Sequence, residues 1–506
     1  MNKLFMTFTC ALISLSAAAS GLKANSSSEQ KAITPRCFSI KDKVTVNNRV
    51  IYYRMTARDT VIANADTNTR AVIFSFFYSR IDAKQRDACI NRPVLFVFNG
   101  GPGSSSAWLH IGLLGPKRLS MKNPLRPSQT PPFSLGNNPY TLLDIADIVF
   151  IDTPGTGYSY VLPSTKASEY YDMEADARLT ADFIETWLTE NNRWNSPKYL
   201  VGESYGTIRA AMTARFLNGG VFSPDGSLTG ISLNGIIMLG QALYYFDKSH
   251  PVSANEKLAI YLPSMAATSR FYEKSGSSQE FTEFVQKAAD FSRKTYLPAL
   301  YAGNSLKTAE KQHLYQSLAE ITGLPYELVK KNRGRISVEK FCSSLLKDKV
   351  IAQYDSRFNL PSAGLPPVPD PVGDDPEIAQ YSPAFAAGMN IYLKQLGITS
   401  KEKYNLINFK VNKIWKSTVK PPGIYPVNAL TAVMRSNRDL KLFIASGYYD
   451  FATPFEEASY LINQNELPAD RITKACYKSG HMIFIDDQSA RKLSADLRNF
   501  IKSSTK

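Results

Sequence analysis

The chain has 506 residues, of which 44% are hydrophobic, 20% charged and 11% aromatic. That is long enough for a large buried core, and the composition is far from the polar, charge-rich makeup of a disordered chain. The net charge of +15 comes from Lys and Arg scattered along the whole length. Without a polybasic block interleaved with aromatics, it reads as a solvated basic surface rather than a nucleic-acid interface.

At the start, Lys3 precedes the mostly apolar run Leu4–Leu15, and Ala17, Ala18 and Ala19 follow as small residues. This pattern predicts a signal peptide over residues 1–24 and an exported chain, periplasmic or extracellular. The run is shorter than the ~20 residues that cross a bilayer, and no other segment predicts an integral membrane span. Removal of Cys10 with the leader leaves Cys37, Cys89, Cys342 and Cys476, an even number. In an oxidising compartment two disulfides are possible, with three pairings open. No CxxC or Cys/His cluster occurs, which argues against a structural zinc site, and no metal or organic cofactor is expected.

Residues 25–35 are polar and read as a mobile mature N-terminus. Lys43–Val46, Arg49–Tyr53 and Ala71–Tyr78 alternate in the manner of antiparallel strands. A different texture begins at Val94–Phe98. That run, with Ile145–Ile151, Tyr199–Val201, Ile236–Leu239 and Leu442–Ile444, is short, apolar and bounded by turns. Such runs suit buried parallel strands of an α/β sheet. Ser204–Leu217 has helical spacing. Between about 250 and 375 the pattern becomes helical, over Ser305–Gly323, Pro325–Lys331 and Ser337–Lys347, and Leu360–Pro376 reads as a Pro/Gly-rich linker. Leu314, Leu318, Ile321 and Leu328 give these helices apolar faces. The predicted organisation is a core over 36–250, a helical cap over 251–375 and the rest of the core over 376–506.

Gly202-Glu203-Ser204-Tyr205-Gly206 matches G-x-S-x-G between an apolar strand and a helix. Its glycines permit the sharp turn that presents a serine oxygen, and the helix dipole favours charge developing there. Asn99-Gly100-Gly101-Pro102-Gly103 follows the strand Val94–Phe98. Its paired glycines leave backbone N–H groups open to an oxyanion, with the N–H of Tyr205 as the other donor. The loop lacks both the Walker lysine and G-x-G-x-x-G, which argues against phosphate binding. A serine needs a base. His250 and His313 read as surface residues, and His110 as a residue that lines the site without acting as base. His481 follows the strand Ile472–Tyr477 and suits the role. Asp450 ends the turn after Leu442–Ile444, giving the order Ser204, Asp450, His481. Asp486 and Asp487 read as caps of the C-terminal helix, and Asp152 as part of a structural turn.

Asn99–Ser106 (NGGPGSSS), Gly202–Gly206 (GESYG), Asp450 and Gly480-His481-Met482 resemble the serine carboxypeptidases. Asp152–Tyr160 (DTPGTGYSY) and Asn138–Asp152 (NPYTLLDIADIVFID) extend the resemblance, which runs from about Ile51 to the C-terminus. It implies an α/β-hydrolase fold, with a mixed, mostly parallel sheet, flanking helices and an inserted helical cap. It implies Ser204 as nucleophile, His481 as base and Asp450 as its orienter, with Gly101 and Tyr205 as oxyanion donors. Asn99, Gly100 and Glu203 would hold the terminal carboxylate of a peptide substrate, Glu203 only when protonated. Leu113 stands where the family often has a Glu, and Ser104 where many relatives have a Cys. The implied activity is removal of C-terminal residues through an acyl-enzyme. The same triad would also serve an esterase or an acyltransferase, and a catalytically dead binding protein is a third reading.

Overall fold

The computed structural model describes residues 34–64, 69–82, 84, 91–162, 170–219, 228–247, 249, 251–366, 370, 372–419 and 423–505. The predicted leader, His250 and Cys89 lie outside these residues. Pro35–Lys506 forms one unit, within which ten strands make the principal sheet. They are β1 (Cys37–Val46), β2 (Arg49–Asn64), β3 (Thr69–Ile81), β4 (Val94–Phe98), β5 (Asp147–Ile151), β6 (Tyr160–Val161), β7 (Lys198–Glu203), β8 (Gly235–Leu239), β9 (Lys441–Gly447) and β10 (Ile472–Tyr477).

Their order is β1-β2-β3-β5-β4-β7-β8-β9-β10, with β6 paired to β3. β1, β2 and β3 form an antiparallel meander, and β3 pairs antiparallel with β5. From β5 to β10 every pairing is parallel. The expected strands are therefore present in the expected two textures, and β2 is longer than its alternating stretch suggested.

Burial explains the change of texture. In β4, Leu95 and Val97 enter one apolar cluster while Val94, Phe96 and Phe98 enter another on the opposite face. β5 divides in the same way, with Ile148 and Phe150 against Val149 and Ile151. A strand covered on both faces has no solvent side to mark with polar residues, so its sequence runs continuously apolar. Helices α1 (Met173–Glu190) and α2 (Tyr205–Asn218) cover one of these faces, and Leu179, Phe183, Ile208 and Met212 point into its core.

The segment after β8 is helical, as its spacing predicted, but begins with two helices the spacing did not single out. These are α3 (Ala254–Phe271) and α4 (Phe281–Phe291). α5 (Thr308–Thr322), α6 (Tyr326–Lys331) and α7 (Val338–Cys342) follow, the last shorter than expected. Leu314, Leu318, Val329 and Phe341 share a separate apolar cluster with Leu262 and Met265 of α3. The expected linker ends at Asp375, whose side chain caps α8 (Pro376–Gln395). Helices α9 (Pro426–Ser436), α10 (Phe455–Gln464) and α11 (Asp487–Ser504) complete the chain. As expected, Asp486 caps α11 by accepting from Ser489 N at 2.7 Å. Among the described residues, no helix is long and apolar enough to cross a membrane.

The disulfide expectation is corrected. Cys37, Cys342 and Cys476 are all free. Cys37 starts β1 and Cys476 lies in β10, at opposite edges of the sheet. At roughly 4.8 Å per strand spacing, that is several-fold beyond the ~6 Å between Cα atoms that a disulfide bridges. Cys342 is buried in the cluster of the helical segment, where burial also pushes its thiol pKa well up.

Candidate active site

Open parallel sheets gather ligand-binding loops at the carboxyl ends of their strands, and the singled-out residues lie there. Asn99, Gly100 and Gly101 follow β4, Ser204 follows β7, Asp450 lies beyond β9, and His481 beyond β10. These four strands are all interior or late members of the parallel run.

Ser204 sits at φ 57°, ψ −127°, a left-handed conformation that a non-glycine residue adopts only when its surroundings impose it. Its N–H donates to Leu239 O at 2.9 Å, and its carbonyl accepts from Thr207 N at 2.8 Å. The chain thus leaves β7 and enters α2 with no intervening loop. Gly202 makes the turn possible, because a Cβ there would lie 2.1 Å from the Gly206 carbonyl oxygen. The glycine loop approaches just as closely: a Cβ on Gly100 would fall 2.5 Å from Tyr205 N.

His481 Nδ1 and Asp450 Oδ2 are 2.7 Å apart, and both residues are buried. Asp450 also accepts from Ala452 N at 2.7 Å, Thr453 N at 2.9 Å and the Thr453 hydroxyl at 2.5 Å. So many donors fix the carboxylate and leave it suited to hold a histidine by Nδ1. Burial acts to lower the pKa of His481, but the charge and hydrogen bond of Asp450 outweigh it, and Glu203 adds to them; the net shift is upward.

Ser204, His481, Asn99, Gly100, Gly101 and Glu203 line one cleft. Asp450 lies behind His481, away from the cleft. The ring of Tyr205 is buried, with its hydroxyl 3.4 Å from Asp176, so only its backbone faces the glycine loop. Asn99 and Glu203 are hydrogen-bonded, Asn99 Nδ2 donating to Glu203 Oε2. Asn99 Oδ1 accepts from Leu109 N at 3.1 Å, which fixes the amide with its nitrogen toward Glu203. The other Glu203 oxygen, Oε1, is buried with no partner. Burial raises the Glu203 pKa to about 7, against the opposing pull of His481 and Asn99.

Met482 of the Gly480–Met482 motif also lines the cleft, and other walls come from residues the sequence did not single out, among them Trp108, Tyr354, Ile378 and Phe409. Trp108 adjoins a recognised motif, whereas Tyr354 and Ile378 carry no local signal. His110 is corrected: it does not line the cleft. It is buried, stacked on Phe150 with ring centroids 4.1 Å apart, and its Nε2 lies 2.7 Å from the Tyr78 hydroxyl. Burial lowers its pKa to about 3. His313 is exposed, as expected. Leu113 is fully buried in the core and supplies nothing to the cleft.

Asp152 is the structural residue its turn suggested. It accepts from Ser106 N at 2.8 Å, the Ser106 hydroxyl at 2.7 Å and the Tyr404 hydroxyl at 2.8 Å, tying down the glycine loop. Arg209 of α2 braces the same loop, donating to Asn99 O at 2.5 Å and to Asp176 at 2.7 Å. Both side chains of this ion pair are 1% exposed. Asp176→Ala strands a buried guanidinium and is expected to cost about 3–5 kcal/mol in denaturant unfolding. A loss below ~1 kcal/mol would show that the pair is not a stabilising brace.

The fold is that of an α/β-hydrolase. In the crystal structure of Kex1Δp, a prohormone-processing carboxypeptidase from Saccharomyces cerevisiae, a chain of the same fold aligns with a TM-score of 0.54 at 15% identity. The alignment covers 89% of the present chain and 92% of that one. The chain belongs to the serine carboxypeptidase family, whose model matches residues 66–494. It is 32% identical over 142 residues to serine carboxypeptidase-like 34 of Arabidopsis thaliana, covering 28% of this chain and 26% of that protein. It is 28% identical over 173 residues to pheromone-processing carboxypeptidase kex1 of Neurospora crassa, covering 33% of this chain and 23% of that protein. The matches thus span about a quarter of the length of these two curated relatives.

Proposed function

We propose that this protein is a serine-type carboxypeptidase that removes C-terminal residues from peptides through an acyl-enzyme. The observation that carries the reading is the buried Asn99–Glu203 pair in the cleft beside Ser204. Asn99 offers an amide donor to a terminal carboxylate. Glu203, kept protonated up to about pH 7 by burial, offers a second donor where an ionised carboxylate would repel. Family membership and the Asp450–His481 pair support the chemistry.

In this reading His481 Nε2 accepts the Ser204 hydroxyl proton as Oγ attacks the scissile carbonyl carbon. Asp450 holds Nδ1 and stabilises the imidazolium. The N–H groups of Gly101 and Tyr205 stabilise the oxyanion. Collapse breaks the C–N bond, and His481 returns the proton to the leaving amino acid. Water then attacks the acyl-enzyme by the same route and releases the shortened peptide and Ser204. The helical run after residue 251 acts as a cap over this cleft, with Tyr354 and Val372 of its last part among the cleft walls. The leader over 1–24 directs export.

The deciding experiment offers one peptide with a free and an amidated C-terminus, followed by mass spectrometry across pH. Sequential shortening of the free peptide alone is expected. The pH profile follows from the two shifts. His481 must be neutral to act as base, so activity on any substrate rises as pH passes its raised pKa. Glu203 must be protonated only for a free carboxylate, so kcat/KM on the free peptide falls again above about pH 7. Blocked esters should show the rise without that fall. Asn99→Ala should raise KM for free peptides about tenfold or more, the scale of a lost charge-assisted hydrogen bond, while ester turnover changes less. Internal cuts, or equal losses on both substrate types, would overturn terminal recognition and favour an esterase or acyltransferase. Leu113 is the observation behind that second reading, since it leaves the cleft without the further carboxyl group common in the family.

A further inference from the structure

Asp450 and His481 come from separate loops that meet where Tyr449 N donates to Ser479 O at 3.1 Å, and a third segment braces both. The segment 353–357, in the last part of the proposed cap, bonds to both. On the Asp450 side, Phe451 N donates to Gln353 O at 2.8 Å and Ser356 N donates to Tyr449 O at 2.9 Å. On the His481 side, His481 N donates to Tyr354 O at 2.7 Å, and Gly480 N donates to Asp355 Oδ2 at 3.1 Å.

Arg357 closes the arrangement. Its guanidinium grips Asp355 through Nε at 2.9 Å and one terminal nitrogen at 2.6 Å. The same group donates to Lys478 O at 2.8 Å and to the Ser479 hydroxyl at 3.2 Å, and it lies over the Tyr449 ring at 5.2 Å. Asp355 is fully buried and Arg357 nearly so. The neighbouring Glu377 makes no hydrogen bond to the guanidinium. Both its carboxyl oxygens are buried without a partner, and burial, with Asp355 and Asp375 nearby, raises its pKa well above the ordinary carboxylate range. A planar five-donor fork is needed to hold a carboxylate and two loop groups together, which an ammonium does not provide.

We propose that Asp355 and Arg357 are positioning residues for the reaction, holding the Lys478–His481 loop in register with Asp450. The proposal rests on the reading of Ser204, His481 and Asp450 as a working triad. Neither residue touches substrate in it. Ser356 carries the device outward, its hydroxyl lying 2.5 Å from that of Thr268 in α3. The helical run and the His481 loop are thereby mechanically joined.

The test is Arg357→Lys, which keeps the charge and removes the fork. On a blocked ester, kcat is expected to fall about tenfold to a hundredfold, the scale of a sub-ångström to ångström misplacement, with KM within about twofold. Rates are normalised to sites titrated by a fluorophosphonate. The groups facing His481 are Asp450, Glu203 and Asp375, all of which raise its pKa. Loosening the Asp450 contact should move the acid limb of kcat/KM to lower pH, and weaken the downfield proton resonance of His481 Nδ1–H. A folded variant with unchanged kcat and acid limb would overturn the proposal. So would a loss confined to KM, or one that vanishes on normalisation. If Arg357→Lys does not fold, Asp355→Asn keeps an oxygen for Gly480 N and is read by the same kcat/KM split and resonance. If the wild-type protein neither turns over substrate nor reacts at Ser204, the triad reading fails instead. The resonance then still reports whether the clamp orders His481.

Discussion

The Ser204→Ala variant should lose on the order of 10⁶-fold in kcat while remaining folded, the magnitude seen when a nucleophile that acts as part of a unit is removed. Its φ of 57° makes the result more informative than an ordinary truncation. Alanine inherits the same strained turn, so the backbone N–H groups of Gly101 and Tyr205 keep their places. What is removed is the Oγ atom alone. Residual activity should therefore reflect oxyanion stabilisation without covalent chemistry. A fluorophosphonate should label the wild-type protein once and the variant not at all. Turnover within tenfold of wild type would end the claim that Ser204 is the nucleophile.

Asp450→Asn should lower kcat by about 10⁴-fold with little change in KM, because the amide selects the wrong imidazole tautomer. In the native arrangement Asp450 Oδ2 accepts from His481 Nδ1 at 2.7 Å and from the Thr453 hydroxyl at 2.5 Å. An Asn nitrogen in that place would donate to Nδ1, and the proton would move to Nε2, where the base must be free. The remaining oxygen can still accept from Ala452 N and Thr453 N, so the turn should hold. The upward shift of the His481 pKa should also disappear. Stability carries the same sign. A histidine whose folded pKa is raised contributes stability that is full below its unfolded pKa of about 6.5 and is lost as pH rises through the folded value. The variant should thus melt lower than wild type in mildly acidic buffer, and the gap should narrow at alkaline pH. A gap of constant size across that range would refute the linkage.

How much of this was legible in the sequence depended on whether the signal was local. The elbow at Ser204 and the loop at Asn99–Gly101 announce themselves, because a strand, a turn and a helix are contiguous there. Asp450 and His481 were found by their position after apolar strands and by family resemblance. The antiparallel meander was visible for a simpler reason, its alternating polarity. Tyr354, Asp355 and Arg357 were not legible. Their partners lie about a hundred residues downstream, and their own stretch, between short helices and a Pro/Gly-rich linker, has no periodicity to read. His110 failed in the opposite way. Nearness in sequence to the glycine loop suggested the cleft, but the helical turn at His110–Leu114 directs the ring onto Phe150 in the core. The expected disulfides failed because an even count of cysteines says nothing about distance across a sheet.

The strand order has a temporal consequence. The residues proposed as nucleophile, oxyanion loop, orienter and base follow β7, β4, β9 and β10, with β10 the last strand of the described chain and an edge of the sheet. A polypeptide emerging from synthesis holds Ser204 for more than half its length before the histidine is made. On the proposed mechanism, until β10 docks on β9 Ser204 lacks its base, and the nascent chain is expected to be hydrolytically silent. Appearance of the proposed activity during refolding should therefore coincide with docking of the final edge strand, so that the chain reports its own completion.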